Sequence, residues 1–164
     1  MREKILQKVT ELSQALLKAK VMVATAESCT GGMVAEALTA IAGSSAWFER
    51  AFIAYSYESK YEMLGVHPLT IQEHGSVSKQ CVEEMAIGAL QNAHVQLTVA
   101  LSGIAGPDGA SAGKPVGTVW IAWAGQHMSV VSQRFQFDGD RDSVREQATL
   151  AALEGMYERL HHIE

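Results

Sequence analysis

The sequence predicts an α/β fold, a three-layer α/β/α sandwich around a mixed, mostly parallel sheet of about five strands. Three observations carry this expectation. Short apolar runs alternate with segments of helical period over the first hundred residues, as crossover connections between parallel strands require. Two later apolar runs, 116–124 and 128–137, flank Gly125-Gln126, a Gly-X pair that fits a tight hairpin and hence an antiparallel pair. A length of 164 residues suits one domain, here 1–164, able to bury a substantial core without disulfides or metals.

Each element has a local cause. Ile5, Leu6, Val9, Leu12, Leu16 and Leu17 form the apolar stripe of an amphipathic helix over 3–19. Val21-Met22-Val23 reads as a buried strand, and Met33 to Leu38 as the helix that follows it. Gly43 ends a helix, Ser44 and Ser45 make a polar turn, and Trp47 and Phe48 are core anchors. Ala51 to Tyr55 is a second strand leading into a short helix that stops near Gly65. Pro68 opens another helical piece, and Ser78 caps a longer helix through Val82, Met85, Ala86, Ala89 and Leu90. Val95 to Leu101 is apolar enough to be a strand buried on both faces. The capping-box spacing of Ser143 and Glu146 starts the last helix.

Composition excludes several classes of function. A hydrophobic fraction of 48% with three prolines indicates a globular chain, and its longest apolar runs fall far short of a membrane span. A net charge of -5 argues against the broad basic surface of a nucleic-acid binder. The first residues lack the apolar core of a signal peptide, so a cytoplasmic location with reduced Cys29 and Cys81 is expected. The six histidines are scattered and two isolated cysteines cannot build a zinc cage, so neither metal nor cofactor is expected.

The stretch Thr25-Ala26-Glu27-Ser28-Cys29-Thr30-Gly31-Gly32 reads as a strand-turn-helix junction, which would offer unpaired N–H groups and a helix dipole to a phosphate, a carboxylate or an oxyanion. Ser28 is the candidate nucleophile. On a plainer reading Ser28 or Thr30 caps the helix and the glycines allow close packing. With no histidine near these loops, the candidate base is Lys60, made usable by burial that lowers its pKa, with Ser44 or Ser45 as a relay if the two do not touch. Lys60 is otherwise an ordinary surface lysine, and Cys29 competes as nucleophile. Three loops, 27–32, 56–60 and 103–109, follow strands and should converge at the sheet's carboxyl end.

These residues resemble a known family. Thr25 to Gly32, Ala42 to Phe48, Gly75-Ser76-Val77-Ser78, Ser102 to Gly109 and Lys114 to Val119 are similar to the signature blocks of the CinA C-terminal-domain family, the nicotinamide-nucleotide amidohydrolases, in their stand-alone form. The resemblance implies hydrolysis of nicotinamide mononucleotide to nicotinic acid mononucleotide and ammonia by a metal-free serine-lysine mechanism. It implies Ser28 as nucleophile and Lys60 as base, with Ser45 and Tyr55 near the reacting centre. Backbone N–H groups near Cys29, Thr30 and Gly31 would serve the oxyanion, with Gly32 and Ser44 also at the substrate. The loop holding Gly103, Ala105, Gly106 and Asp108 would enclose the nucleotide, and Arg141 or Arg145 would contact phosphate or carboxylate unless they pair with surface acids. The expected assembly is a homodimer or higher homo-oligomer.

The resemblance departs at one place. The family usually has Tyr-[Ser/Thr]-Asn-x-x-Lys where this chain reads Tyr55-Ser56-Tyr57-Glu58-Ser59-Lys60. If the missing amide orients substrate or lysine, activity is weakened or lost. The competing expectation is then a paralogue that binds a nucleotide or a partner without turnover.

Overall fold

The computed structural model describes residues 1–163; Glu164, the last residue of the expected domain, lies outside the described residues. In chain order the elements are α1 (Arg2–Ala19), β1 (Val23–Glu27), α2 (Met33–Thr39), β2 (Phe48–Ile53), α3 (Tyr57–Leu64), α4 (Pro68–His74), α5 (Lys79–Gln91), β3 (Leu97–Gly103), β4 (Thr118–Gly125), β5 (Val131–Gln136) and α6 (Arg141–Leu160). The strands form one sheet in the order β2-β1-β3-β4-β5. β1 pairs in parallel with β2 and β3, whereas β3 with β4 and β4 with β5 are antiparallel, so only β4 runs against the other four. The α/β sandwich with a mixed five-stranded sheet is thus the fold expected.

Strand alternation divides the core into two layers. Val23 of β1, Leu97, Val99 and Leu101 of β3, and Val119, Ile121 and Trp123 of β4 face α1, α2 and α6. Ala26, Ala100, Ala122 and Ala124 face the other way, toward α3, α4 and α5. Small residues on that second face let α5 sit close. Gly88 of α5 lies so near the Leu64 carbonyl that a Cβ there would overlap it, which fixes α3 against α5.

Several boundaries differ from the sequence reading. β1 begins at Val23 and includes Thr25, Ala26 and Glu27, because hydrogen bonding to β2 on one side and β3 on the other keeps these polar residues in the sheet. β2 starts at Phe48 and ends at Ile53, leaving Ala54 and Tyr55 in the turn. The β4–β5 connection is not a two-residue turn at Gly125-Gln126; it spans 126–130, since Gln126 N–H bonds back to the Gln96 carbonyl (3.0 Å) and Trp123 is the last residue of β4 paired with β5. α6 starts at Arg141, capped by Asp140 accepting from Ser143 N–H (2.9 Å), so Ser143 lies inside the first turn instead of capping it. Ser78 does cap α5, accepting from Cys81 N–H at 3.1 Å.

Candidate active site

In the strand order 2-1-3 the crevice outside the carboxyl ends of β1 and β3 is where open α/β sheets bind ligands. Ser28 stands there, directly after β1. Its N–H donates to the Leu101 carbonyl at 3.1 Å, so the chain leaves the sheet still tied to β3. The alternation of β1 continues through it: Glu27 turns toward α2, and Ser28 turns to the opposite face, toward α3.

Glu27 is the residue whose role sequence reasoning missed. Its side chain is wholly buried, and its carboxylate accepts from Thr25 and Thr30 hydroxyls (3.0 and 2.7 Å) and from the N–H groups of Gly32, Val34 and Ala35 (3.1, 3.0 and 3.0 Å). Five donors replace the water that a buried carboxylate loses. The α2 N-terminus is therefore occupied by the protein's own anion, which corrects two expectations: that terminus is not open to a phosphate, and neither Ser28 nor Thr30 caps it. Gly32 permits the arrangement, entering the helix at φ +106°, where a side chain would be strained.

Lys60 reaches Ser28 from the first turns of α3. Ser56 caps this helix through Ser59 N–H (3.1 Å), and the lysine folds back over the cap. Its Nζ lies 2.9 Å from Ser28 Oγ, 2.9 Å from the Ala54 carbonyl and 3.0 Å from the Tyr55 carbonyl, and the residue is 1% exposed. Two carbonyl acceptors and one hydroxyl suit a neutral amine, which has two N–H donors and one lone pair for the serine proton. Burial lowers the Lys60 pKa from the ordinary lysine range, opposed by the Cys81 and Cys29 thiols. Those thiols are weak opponents, because burial pushes each up to about 11, for Cys29 with Glu27 adding to the effect. Burial thus disfavours the thiolate form of Cys29, which makes it a poor nucleophile.

The turn after Ser28 is held from α6. Arg145 donates through Nε to the Cys29 carbonyl and through Nη2 to the Thr30 carbonyl, both at 3.0 Å. Its guanidinium clamps the loop and does not border the cleft, so of the two arginines only Arg141 faces the substrate space. Gly31 N–H bonds the Ser28 carbonyl at 3.1 Å, which removes it from the expected oxyanion donors, and Gly32 N–H bonds Glu27, which takes it away from the expected substrate contacts. The N–H groups of Cys29 and Thr30 donate to nothing among the described residues.

Beside Ser28 opens a cleft of about 410 Å³, bordered by Cys29, by Tyr55 and Tyr57, by residues 75–77, by the loop from Gly103 through Gly106 with Asp108 and Gly109, and by Ser111, Lys114 and Arg141. Cys29, Tyr55, Gly103, Ala105, Gly106, Asp108 and Arg141 are brought together as expected. Ser44 and Ser45 are not. They form a 3-10 turn just before β2, whose first residue Phe48 pairs with Val23, the first of β1, so they stand at the end of the sheet opposite Ser28. No relay is needed, since Ser28 and Lys60 touch. Tyr57 lies at the cleft mouth one turn before Lys60 and takes no part in holding it; the two backbone carbonyls do that. Ser76 and Lys114 were legible as motif residues, but their place in the cleft was not. Among the described residues no cluster of three His, Cys, Asp or Glu side chains is placed to hold a metal ion, and no helix is long and apolar enough to cross a membrane.

Known proteins are similar to this chain over nearly its whole length. Residues 6–160 match the CinA C-terminal domain family. The nicotinamide-nucleotide amidohydrolase PncC of Escherichia coli K12 is 52% identical over 155 residues, covering 94% of each chain, and that of Pseudomonas putida is 50% identical over 147 residues, covering 90% of this chain and 91% of the other. The crystal structure of a competence-damaged protein (CinA) superfamily protein from Klebsiella pneumoniae superposes with a TM-score of 0.92 at 38% identity, covering 96% of this chain and 98% of that one. With its fold, its signature loops and a match of this extent in agreement, the chain belongs to the CinA C-terminal domain family.

Proposed function

We propose that this protein hydrolyses the carboxamide of nicotinamide mononucleotide to nicotinic acid mononucleotide and ammonia, with Ser28 as nucleophile, Lys60 as general base and no metal. The observation that carries the reading is the 2.9 Å contact between a buried lysine amine and the hydroxyl of Ser28, whose chain neighbour Cys29 borders a cleft of about 410 Å³. The amidohydrolase names of the relatives support the substrate.

In the first half-reaction Lys60 Nζ takes the Ser28 proton as Oγ bonds to the carboxamide carbon, and the carbonyl electrons move onto oxygen. The N–H groups of Cys29 and Thr30 are the free donors for that oxyanion. Collapse breaks the C–N bond, the Lys60 ammonium returns its proton to the leaving nitrogen, and ammonia departs from a Ser28 ester. Water then attacks the ester with Lys60 again as base, releasing the carboxylate and restoring the serine. Homodimeric or higher assembly is proposed with it, supported by the exposed Tyr57, Tyr61, Met63 and Leu69 on α3 and α4. A cytoplasmic location suits two buried free thiols.

Purified protein incubated with nicotinamide mononucleotide is expected to release ammonia and the acid nucleotide in equal amounts. Because Lys60 is oriented without residue 57, Tyr57→Asn should change the rate modestly. Absence of turnover by both proteins would overturn the assignment in favour of a binding module.

A further inference from the structure

We propose that Lys114 and Arg141 together form an anion subsite in the cleft and take the phosphate monoester of the nucleotide; this deepens the functional reading above and rests on it. Both cations border the cleft that reaches Cys29. Neither belongs to any of the four ion pairs among the described residues, so neither charge is neutralised by a carboxylate within hydrogen-bonding distance. The other candidate cations are committed. Lys60 is buried against Ser28, and Arg145 spends two nitrogens on the Cys29 and Thr30 carbonyls away from the cleft.

Both side chains are fixed in place by single backbone contacts that leave donors over. Lys114 Nζ donates to the His74 carbonyl at 2.8 Å and lies so close to Gly75 that a Cβ there would come within 2.9 Å of it. Its own backbone is pinned by reciprocal hydrogen bonds with Ser111, both 3.0 Å, which close residues 111–114 into a tight turn. An ammonium so held has two further N–H donors. Arg141 Nη1 donates to the Gly106 carbonyl at 2.8 Å, and its Nη2 has only the Tyr55 hydroxyl nearby, at 3.5 Å. Ser76 and Ser111 add hydroxyl donors to the same lining.

The charge balance points the same way. In a chain of net charge -5, this lining holds two cations against one carboxylate, Asp108. A locally positive, walled cleft in an acidic protein selects an anionic group and focuses its approach. A planar guanidinium and an ammonium in one cleft lining, each with N–H donors left over, make a donor set that suits a tetrahedral phosphate.

The test compares nicotinamide mononucleotide with its dephosphorylated nucleoside, nicotinamide riboside, in the wild type, Lys114→Gln and Arg141→Gln. The preference for the phosphorylated substrate, as a ratio of kcat/KM values, should fall about 10- to 100-fold in each variant, the effect of losing one charge-assisted hydrogen bond. Inorganic phosphate should compete with the mononucleotide in the wild type, and calorimetric titration should find phosphate bound at least about tenfold more weakly by Lys114→Gln. An unchanged substrate ratio overturns the subsite even if phosphate affinity falls, because the cations would then hold free phosphate only. Unchanged phosphate affinity overturns it without reference to turnover. A wild type that binds phosphate through Lys114 yet releases no ammonia from the mononucleotide would instead refute the functional reading.

Discussion

Two turns of this molecule look alike on paper. Glu27-Ser28-Cys29-Thr30-Gly31-Gly32 and Gly43-Ser44-Ser45-Ala46 are both short, serine-bearing and glycine-rich, and both border β1 or its neighbour β2. The first follows a central strand at its carboxyl end; the second precedes an edge strand at the opposite end. Ser28 is 7% exposed and has a lysine amine at 2.9 Å, a buried carboxylate beneath it and an arginine clamp over the next turn. Ser45 is exposed, and the side chains of its turn cap nothing. The proposed role of Ser28 rests on what surrounds its hydroxyl, and among these two turns only the one at the carboxyl end of β1 has those surroundings.

The largest expected effect comes from removing the hydroxyl itself. Ser28→Ala should lower kcat by about 10⁴-fold or more with the fold retained, read as ammonia release alongside circular dichroism. Substantial retained activity would mean that the turn is a scaffold like the one at Ser45.

Lys60→Arg should cost roughly 10³-fold, since guanidinium stays protonated throughout the accessible range. The wild-type rate should rise with pH along a limb whose midpoint lies below the ordinary lysine value of about 10.4, reporting the amine that burial has made easier to deprotonate. Stability carries the same signature. With its folded pKa depressed, Lys60 binds fewer protons folded than unfolded between the lowered value and about 10.4, so unfolding free energy should rise with pH across that window. Denaturant titrations of Lys60→Met across the window should lack this contribution; identical pH slopes for the two proteins would contradict a lowered lysine pKa.

Glu27→Gln tests what holds the active turn. An amide in place of one carboxylate oxygen turns a donor toward donors, and breaking such a buried network should destabilise the protein by about 3 kcal/mol. Its kcat should also fall while KM moves less, because the serine is misplaced and not the cleft. A fully active, equally stable variant would show that Glu27 is incidental.

The smallest effect is expected at the other turn. Ser45→Ala should leave kcat within about twofold, in the range of ordinary surface substitutions. A large loss would mean that a second copy of the chain brings its own Ser45 to this site.

Much was legible in the residues. Helical period located α1 and α5, continuous apolar character marked β3 as buried, and the chemistry of a turn with no histidine nearby left Ser28 or Cys29 as candidate nucleophile and Lys60 as candidate base. These features depend on neighbours within a few residues, and period and side-chain type carry that information directly. The resemblance of the signature blocks supplied the family.

Sequence alone could not resolve questions of three-dimensional adjacency. Ser44-Ser45 is available as a relay on sequence alone, whereas the parallel register of β1 with β2 sets it at the far end of the sheet. Arg141 and Arg145, four residues apart on α6, were equivalent candidates until one was found facing the cleft and the other bound to carbonyls of the Ser28 turn. Glu27 reads as one polar residue in a polar motif, yet its carboxylate closes the helix end that the motif by itself offers to a ligand. Composition and spacing fix which groups a loop owns, whereas the partners of those groups come from elements 32 to 116 residues away in the chain, as for Lys60 with Ser28 and Arg145 with Cys29. Only the assembled sheet and its two helical layers bring them within hydrogen-bonding distance.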